Sequence, residues 1–306
     1  MPTPPVSYRG RFAPSPTGPL HLGSLIAALA SFLDARHYAG AWLVRMEDLD
    51  PPREEAGAAE RILTSLQRHG LCWDEPVLYQ STRYAAYAQA LKTLQQAGLL
   101  FTCRCTRAQI GAEGTCCGAC RHTPGAPVAG RAGDRPGALR LAVPPDARVA
   151  FTDALQGTQH SALGQQLADF VVKRKDGLYA YQLAVVVDDF HQGISHVVRG
   201  ADLLDSTPRQ IALQQALGYP TPAYCHIPLI TTRSGQKFSK QNNAPALDDS
   251  RAAHNLRLAL DFLGQTPPPT ELTAVDDILR FATAGWAPGR IPGVLSIPAA
   301  QLGVTA

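Results

Sequence analysis

Apolar positions follow two different periods over the first hundred residues. Continuous apolar runs at residues 8–12 and 41–46 are typical of buried strands. Apolar residues at helical spacing predict helices over residues 22–33, 56–69 and 83–97, and a glycine follows each of the last two as a stop signal. The order strand, helix, strand, helix predicts a βαβ arrangement and therefore an α/β fold with a parallel, doubly wound sheet.

The second half of the chain repeats this pattern after a cysteine-rich stretch. Residues 178–187 are the longest apolar run there and end in two carboxylates, and we interpret this run as a strand. Residues 196–202 predict another strand with a charged carboxyl end. Thr207 is predicted to cap the next helix, with Pro208 at its first position. The tail has predicted helical segments at 252–263 and 276–284.

A proline-rich loop joins the first strand to the first helix and predicts an anion site. Pro14, Pro16 and Pro19 exclude a regular helix, whereas Gly18 permits a tight turn. A stiff loop that leads directly into a helix directs backbone N–H groups and the positive end of the helix dipole at the space in front. A phosphate fits there, and His21 can donate a hydrogen bond to it. The alternative is a loop that packs on a core helix, with His21 an ordinary surface histidine.

Acidic residues follow the second predicted strand. Glu47, Asp48 and Asp50 lie at its carboxyl end, where open α/β sheets bind ligands. For Asp48 and Asp50 a solvated turn is the preferred interpretation, with Asp50 capping the next helix. Glu47 stays a candidate binding residue.

Composition limits the class of protein. With 306 residues, 45% hydrophobic and 17% charged, the sequence suits a globular enzyme with more than one domain rather than a disordered chain. It has no run of about 18 uncharged apolar residues that would predict a membrane span. The first residues lack the apolar core of a secretory signal, so we expect a cytoplasmic location. The net charge of +3 permits a nucleic-acid partner without arguing for one.

Five of the seven cysteines fall between positions 103 and 120. In a cytoplasmic protein these are thiols or metal ligands rather than disulfides. Thiolates paired at short spacing suit tetrahedral zinc, and a four-thiolate site is structural rather than catalytic. The predicted ligands are Cys103, Cys105, Cys116 and Cys120. Cys117 is an alternative to Cys116, His122 is a weaker candidate, and reduced cysteines without a metal are the competing interpretation.

A basic loop after the second half completes a pair of motifs. Lys237 and Lys240 flank Ser239, and two lysines so placed can neutralise a triphosphate as charge develops on it. Together with His21-Leu-Gly-Ser24, this loop resembles the two signatures of the class I aminoacyl-tRNA synthetases, usually written HIGH and KMSKS. Ser24 replaces the final histidine of the first signature, and Gln241 replaces the final serine of the second.

Three further segments narrow the resemblance to the glutamyl branch of that class. They are Arg-Phe-Ala-Pro-Ser-Pro-Thr-Gly at 11–18, Arg-Met-Glu-Asp-Leu-Asp at 45–50 and Val-Arg-Gly-Ala-Asp at 198–202. The resemblance covers residues 8–245. Full-length glutamyl-tRNA synthetases carry a large C-terminal anticodon-binding domain, which we expect this chain to lack. The sequence therefore most resembles their short paralogues, the glutamyl-Q tRNA(Asp) synthetase family.

This resemblance implies roles for individual residues. The glutamate-binding residues would be Arg11, Ala13, Ser15, Glu47, Tyr181 and Arg199. The ATP-binding residues would be His21, Gly23, Ser24 and Lys240, and the catalytic residues His21, Lys237 and Lys240, with Mg²⁺ bound to ATP. The family also has a Cys-x-Cys pair and a third ligand, often tyrosine, four residues before a last cysteine. Cys116 occupies that register here.

The implied reaction has two steps. ATP activates L-glutamate to glutamyl-adenylate, and the glutamyl group is then transferred to queuosine in the anticodon of tRNA(Asp). One alternative is a minimal glutamyl-tRNA synthetase that charges the 3′ end of tRNA(Glu). The other is a non-catalytic tRNA-binding paralogue on the same scaffold. We expect a monomer.

Pattern and resemblance together divide the chain into four expected parts. Residues 1–100 and 176–245 would form the two halves of a Rossmann-type nucleotide-binding catalytic domain, the second with the KMSKS-like loop. Residues 101–175 would form an inserted, zinc-containing, acceptor-like subdomain. Residues 246–306 would form a helical tail like a stem-contact region, with no anticodon-binding domain.

Overall fold

The structure is a computed structural model that describes residues 7–110, 116, 120–121, 137–166, 169–232 and 245–302. Its helices are α1 (Leu22–His37), α2 (Ala58–Arg68), α3 (Tyr84–Gln96), α4 (Leu163–Gln166), α5 (Tyr181–His191), α6 (Thr207–Leu217), α7 (Ala252–Phe262) and α8 (Val275–Ala284). Its strands are β1 (Arg9–Phe12), β2 (Ala41–Met46), β3 (Leu78–Tyr79), β4 (Leu100–Cys103), β5 (Ala138–Leu141), β6 (Val149–Asp153), β7 (Gly157–Ser161), β8 (Phe170–Lys173), β9 (His196–Gly200), β10 (Ala223–Ile227), β11 (Leu229–Thr231) and β12 (Ser296–Pro298).

The central strands run parallel in the order β3, β2, β1, β9, β10. Strand β1 pairs with β2, β2 with β3, and β9 with β10, each in parallel register. The Ser195 N–H donates to the Arg9 carbonyl over 3.0 Å and brings β9 beside β1. At the amino ends of these two strands the Tyr8 and His196 rings stack 4.0 Å apart. The chain winds away from β1 in both directions, so β1 and β9 flank the switch point where such sheets bind ligands.

Helices cover both faces of this sheet. Because side chains alternate along a strand, Trp42 and Val44 of β2 face a core that includes residues of α1, α7 and α8. Leu43 faces the opposite core, which includes residues of α3, α5 and α6. The predicted parallel, doubly wound α/β sheet is confirmed.

Most predicted elements of the first half form within a few residues of their expected bounds. Helices α2 and α3 are followed by Gly70 and Gly98, whose φ angles of 69° and 68° are left-handed and end the helices as predicted. In the second half, Thr207 does not cap α6. It is the first helical residue, and Ser206 precedes it as N-cap.

The interpretation of residues 178–187 as a strand is wrong. They lead into and largely form helix α5, in which the seven consecutive residues from Leu183 to Asp189 are buried. A helix enclosed on all sides has no polar face, so its sequence lacks the 3.6-residue period by which a surface helix is identified. The two carboxylates that end the run are therefore buried residues of a helix rather than residues at a strand's end.

The inserted region contributes its own strands and joins the central sheet. Strands β4, β5 and β8 form an antiparallel sheet, and β6 and β7 form an antiparallel pair. Strand β6 also lies parallel to β10, with Asp153 opposite Tyr224. Within the part of the chain that the structure describes, none of the helices has the length and apolar character needed to cross a membrane.

Candidate active site

A cavity of about 400 Å³ opens at the carboxyl ends of β1, β9 and β10. Its walls come from the proline-rich loop after β1, the first turns of α1, the residues that follow β9, and the segment between β10 and β11. Ser15, His21, Gly23 and Ser24 line it. The structure therefore brings the predicted ATP-binding residues of the first signature together around a cavity of the size that small-molecule ligands occupy.

His21 closes the start of helix α1. Its Nδ1 accepts a hydrogen bond from the Ser24 N–H over 3.2 Å, and its Nε2 lies 3.1 Å from the Ser24 hydroxyl. Because Nδ1 accepts in this arrangement, the neutral ring carries its proton on Nε2. Ser24, which replaces the histidine of the usual signature, thus holds the His21 ring by two contacts.

Gly23 lets the start of α1 approach strand β11. A Cβ at this position would lie 3.0 Å from Ile230 Cγ2 and 3.2 Å from the His21 ring, which is closer than most Cβ contacts. Strand β11 leads towards the predicted basic loop. Lys237 and Lys240 of that loop lie outside the described residues.

The structure brings four of the predicted glutamate-binding residues together beside this cavity. Arg11 lies on β1, Glu47 follows β2, Tyr181 begins α5 and Arg199 lies on β9. Burial raises the pKa of the Tyr181 hydroxyl; the Arg199 guanidinium opposes this rise, and the Glu47 carboxylate adds to it. Tyr181 is therefore within electrostatic reach of both residues. Ala13 directly follows β1, and the exposed Ser15 belongs to the cavity wall.

A buried network of ion pairs holds Arg11 and Glu47 in position. The Arg11 Nε and Nη2 donate to the two carboxylate oxygens of Asp189 over 3.1 and 3.4 Å. Arg45 donates to Asp189 over 2.7 Å and to Glu47 over 3.3 Å. Burial alone would raise the pKa of Asp189, but Arg11 and Arg45 hold it below its ordinary value. Asp189 is thus a charged anchor between the two arginines.

Arg199 has a different environment, since its described hydrogen-bond partners are all uncharged. Its Nε donates to His226 over 3.0 Å, and its Nη2 donates to the Thr207 hydroxyl over 2.8 Å and to Gln210 over 2.7 Å. Its Nη1 is buried and has no hydrogen-bond partner among the residues that the structure describes. This arginine is 6% exposed, so it is a buried positive charge with one donor that has no partner among the described residues.

Four cysteine sulfurs lie within 4.8 Å of one another. They belong to Cys103, Cys105, Cys116 and Cys120. The Cys105 sulfur is 3.6 Å from that of Cys116 and 3.7 Å from that of Cys120, too far for a disulfide of about 2.05 Å. A tetrahedral zinc with bonds of about 2.3 Å would place its sulfurs about 3.8 Å apart. The cluster therefore has the geometry of a metal site; Cys117 and His122 lie outside the described residues.

Comparison with known proteins identifies the family. A family model described as tRNA synthetases class I (E and Q), catalytic domain, matches residues 7–261. A glutamyl-Q tRNA(Asp) synthetase of Pseudomonas fluorescens is 49% identical over 298 residues, which cover 97% of each chain. One of Thiobacillus denitrificans is 52% identical over 297 residues, covering 94% of this chain and 96% of the other. The chain belongs to the glutamyl-Q tRNA(Asp) synthetase family.

A solved structure supports the fold of this family member. The glutamate-tRNA synthetase of Elizabethkingia anophelis is 24% identical and aligns with a TM-score of 0.80 over 97% of this chain and 69% of that chain. This likeness confirms the class I synthetase fold. Family membership also confirms the predicted enzyme class, a ligase of the aminoacyl-tRNA synthetase type.

The family resemblance did not indicate every residue that shapes the site. Asp189 was visible in the sequence as a carboxylate after a long apolar run, but its role required knowing that the run is a helix. Asp153 and His226 lie next to Arg199 on β6 and β10 and match no motif. No local sequence signal could have found them, because strand pairing alone brings them together.

Proposed function

We propose that this enzyme activates L-glutamate with ATP and transfers the glutamyl group to queuosine in the anticodon of tRNA(Asp). The observation that carries this proposal is Arg199, a buried guanidinium with uncharged partners and an unused Nη1 among the described residues. A substrate carboxylate supplies both the missing charge and the missing acceptor. We assign Glu47 to the substrate ammonium and the Tyr181 hydroxyl to the pocket wall, and their mutual electrostatic interaction supports a shared pocket.

We place the activation step in the cavity lined by His21 and Ser24. The α-carboxylate oxygen of glutamate attacks the α-phosphate of ATP, and pyrophosphate leaves. Negative charge develops on the oxygens of the five-coordinate phosphorus, and we assign the Nε2–H of His21 and the N–H groups at the start of α1 as donors to these oxygens. We assign Lys237 and Lys240 to the same charge, and Mg²⁺ enters as part of the nucleotide, bound to its phosphates.

Transfer then uses the activated glutamyl group. A hydroxyl of the queuosine cyclopentenediol attacks the carbonyl carbon of glutamyl-adenylate, and AMP leaves. The name of the relatives, glutamyl-Q tRNA(Asp) synthetase, supports this acceptor. A base that is turned out of the anticodon loop would enter the site, as is usual for recognition of single-stranded RNA.

We also propose that the four-cysteine cluster binds one structural zinc ion. The support is the separation of its sulfurs, which fits four thiolates around a single metal. Cys103 and Cys105 come from the end of β4, so the metal would fasten the segment around Cys116 and Cys120 to the insertion's sheet. Four thiolates leave no open coordination position, and the zinc takes no part in the reaction.

The test is transfer of labelled glutamate to purified tRNA(Asp) with and without queuosine, beside tRNA(Glu). We expect label only on the queuosine-containing tRNA(Asp), and we expect it to survive removal of the 3′ end. Label on tRNA(Glu) that is lost with its 3′ terminus would instead show a minimal charging enzyme. No glutamate-dependent ATP–pyrophosphate exchange, with or without tRNA, would show a non-catalytic paralogue.

Arg199→Gln tests the carboxylate contact within the same assay. Removing a buried charged donor from a charged partner costs about 3 kcal/mol, so we expect kcat/KM for glutamate to fall about 100-fold. Arg280→Gln is the matched control, because Arg280 is exposed on α8 and its neighbour is Asp277. Equal kcat/KM values for the two variants would remove Arg199 from the proposed site.

A further inference from the structure

A chain of three buried side chains runs from the inserted region to Arg199. The Asp153 Oδ2 lies 2.6 Å from His226 Nδ1, and His226 Nε2 accepts from Arg199 Nε over 3.0 Å. Asp153 lies on β6, His226 on β10 and Arg199 on β9, three neighbouring strands of one sheet. Asp153 and His226 are 1% and 0% exposed, so water does not replace either contact.

The chain fixes the tautomer of His226. A carboxylate can only accept, so the proton of the neutral imidazole is on Nδ1, directed at Asp153, and Nε2 presents a lone pair. Arg199 Nε–H can only donate, so it requires that lone pair. The Thr207 hydroxyl, 3.1 Å from the same Nε2, also accepts from Arg199 Nη2 and holds the guanidinium from a second side.

We propose that Asp153 and His226 are positioning residues for Arg199, and through it for the substrate carboxylate. This inference rests on the proposed function, in which Arg199 binds glutamate. Asp153 sets the His226 tautomer, and His226 anchors Nε of the guanidinium. Together with Thr207 and Gln210 on Nη2, this leaves Nη1 as the donor available to the substrate carboxylate. The insertion thereby controls glutamate binding although it contributes no residue that touches glutamate.

Asp153→Asn isolates the tautomer from the rest of the structure. Asp153 Oδ1 accepts from the N–H groups of Leu155, Gln156 and His226, and an asparagine oxygen keeps these three contacts, although the His226 N–H loses its second acceptor, Oδ2, at 3.1 Å. Its amide nitrogen then faces His226 Nδ1 and requires that atom to accept. The ring proton moves to Nε2, where two donors, Nε2–H and the Arg199 Nε–H, face each other.

The experiment is glutamate-dependent ATP–pyrophosphate exchange with the full chain. We expect Asp153→Asn to raise KM for glutamate about tenfold or more, the usual effect of losing a hydrogen bond to a charged group, with KM for ATP changed little. His226→Gln, whose amide oxygen can accept from Arg199, should recover most of the glutamate affinity that His226→Leu loses. Asp146→Asn is the matched control, since Asp146 is exposed in the same insertion.

A spectroscopic readout makes the test independent of kinetics. The ¹⁵N shifts of the His226 ring should show a proton on Nδ1 in the wild type and on Nε2 in Asp153→Asn. A wild type with its proton on Nε2, or equal glutamate KM for Asp153→Asn and Asp146→Asn, would overturn the inference. Absence of glutamate-dependent exchange in the wild type would instead overturn the proposed function, so the two failures are distinguishable.

Discussion

At the scale of single residues, the site contains two buried arginines with opposite electrostatic surroundings. Arg11 donates to both carboxylate oxygens of Asp189 through Nε and Nη2, so its charge is balanced within the protein. Arg199 has uncharged partners among the described residues. A buried charge without a counter-charge is costly, and that cost is relieved when an anion binds. This difference supports the proposal that Arg199, rather than Arg11, is the main contact of the substrate carboxylate.

Asp189→Asn should strongly destabilise the folded chain. It leaves the guanidinium groups of Arg11 and Arg45 facing a neutral amide in a buried place, and breaking a buried ion pair from one side costs about 3–5 kcal/mol. We expect urea denaturation to show a fall of that size in the free energy of unfolding. Asp205→Asn, an exposed control, should change it by less than about 0.5 kcal/mol. Similar values for both variants would show that Asp189 is not the anchor.

The sequence indicated the proposed substrate-binding residues better than the residues that hold them in position. His21, Glu47 and Arg199 stand in motifs; the structure places His21 in the cavity wall, and Glu47 and Arg199 within electrostatic reach of Tyr181. Asp153 and His226 are 73 positions apart, and their contact depends on the pairing of β6 with β10. Contacts made by tertiary packing leave no local pattern in the sequence, so Asp153 and His226 could be found only from the three-dimensional structure.

At the scale of elements, helix α5 shows why burial hides secondary structure. A helix with one solvent-exposed face shows apolar residues at a period of 3.6, and helices α2 and α3 were predicted from this period. In α5 the residues around Asp188 are buried on all sides. Asp188 accepts from the Tyr87 hydroxyl over 2.6 Å and from Gln80 over 3.0 Å, while Asp189 faces the arginines. The helix therefore links the α3 layer to the active site through two adjacent carboxylates.

The cysteine cluster gives a prediction for the inserted element. Elemental analysis should find about one zinc per chain in the wild type and less in Cys105→Ser. The variant should also have a midpoint of thermal unfolding several degrees lower, because a loss of about 1 kcal/mol corresponds to roughly 2–4 °C in a protein of this size. ATP–pyrophosphate exchange should persist, since the cluster is not part of the cavity wall. Cys72→Ser, at an exposed cysteine, is the control. An enzyme without zinc, with equal melting of both variants, would contradict the metal site.

At the scale of the whole molecule, the charge state of buried groups couples folding to pH. Burial lowers the pKa of His226, and the nearby Arg199 lowers it further, although the Asp153 hydrogen bond opposes this. Burial also lowers the pKa of His196, and Asp34 opposes this shift. Both residues stay neutral in the fold at pH values where the unfolded chain, with histidine pKa values near 6.5, has begun to take up protons.

The free energy of unfolding should therefore rise between pH 5.5 and pH 6.5. The unfolded chain binds more histidine protons in this window, and stability rises with pH wherever that holds. Burial raises the pKa of Glu47, which makes stability fall with pH and so opposes the histidine contribution. His196 is half-exposed, so its contribution to the slope is smaller. We therefore expect the free energy of unfolding to rise on the order of 1 kcal/mol per pH unit. Urea denaturation at several pH values measures this slope. We expect His254→Gln, at an exposed histidine, to keep the slope and His226→Gln to reduce it. A flat profile, or equal slopes in both variants, would mean that His226 is protonated in the folded protein, and a protonated ring could not accept from Arg199.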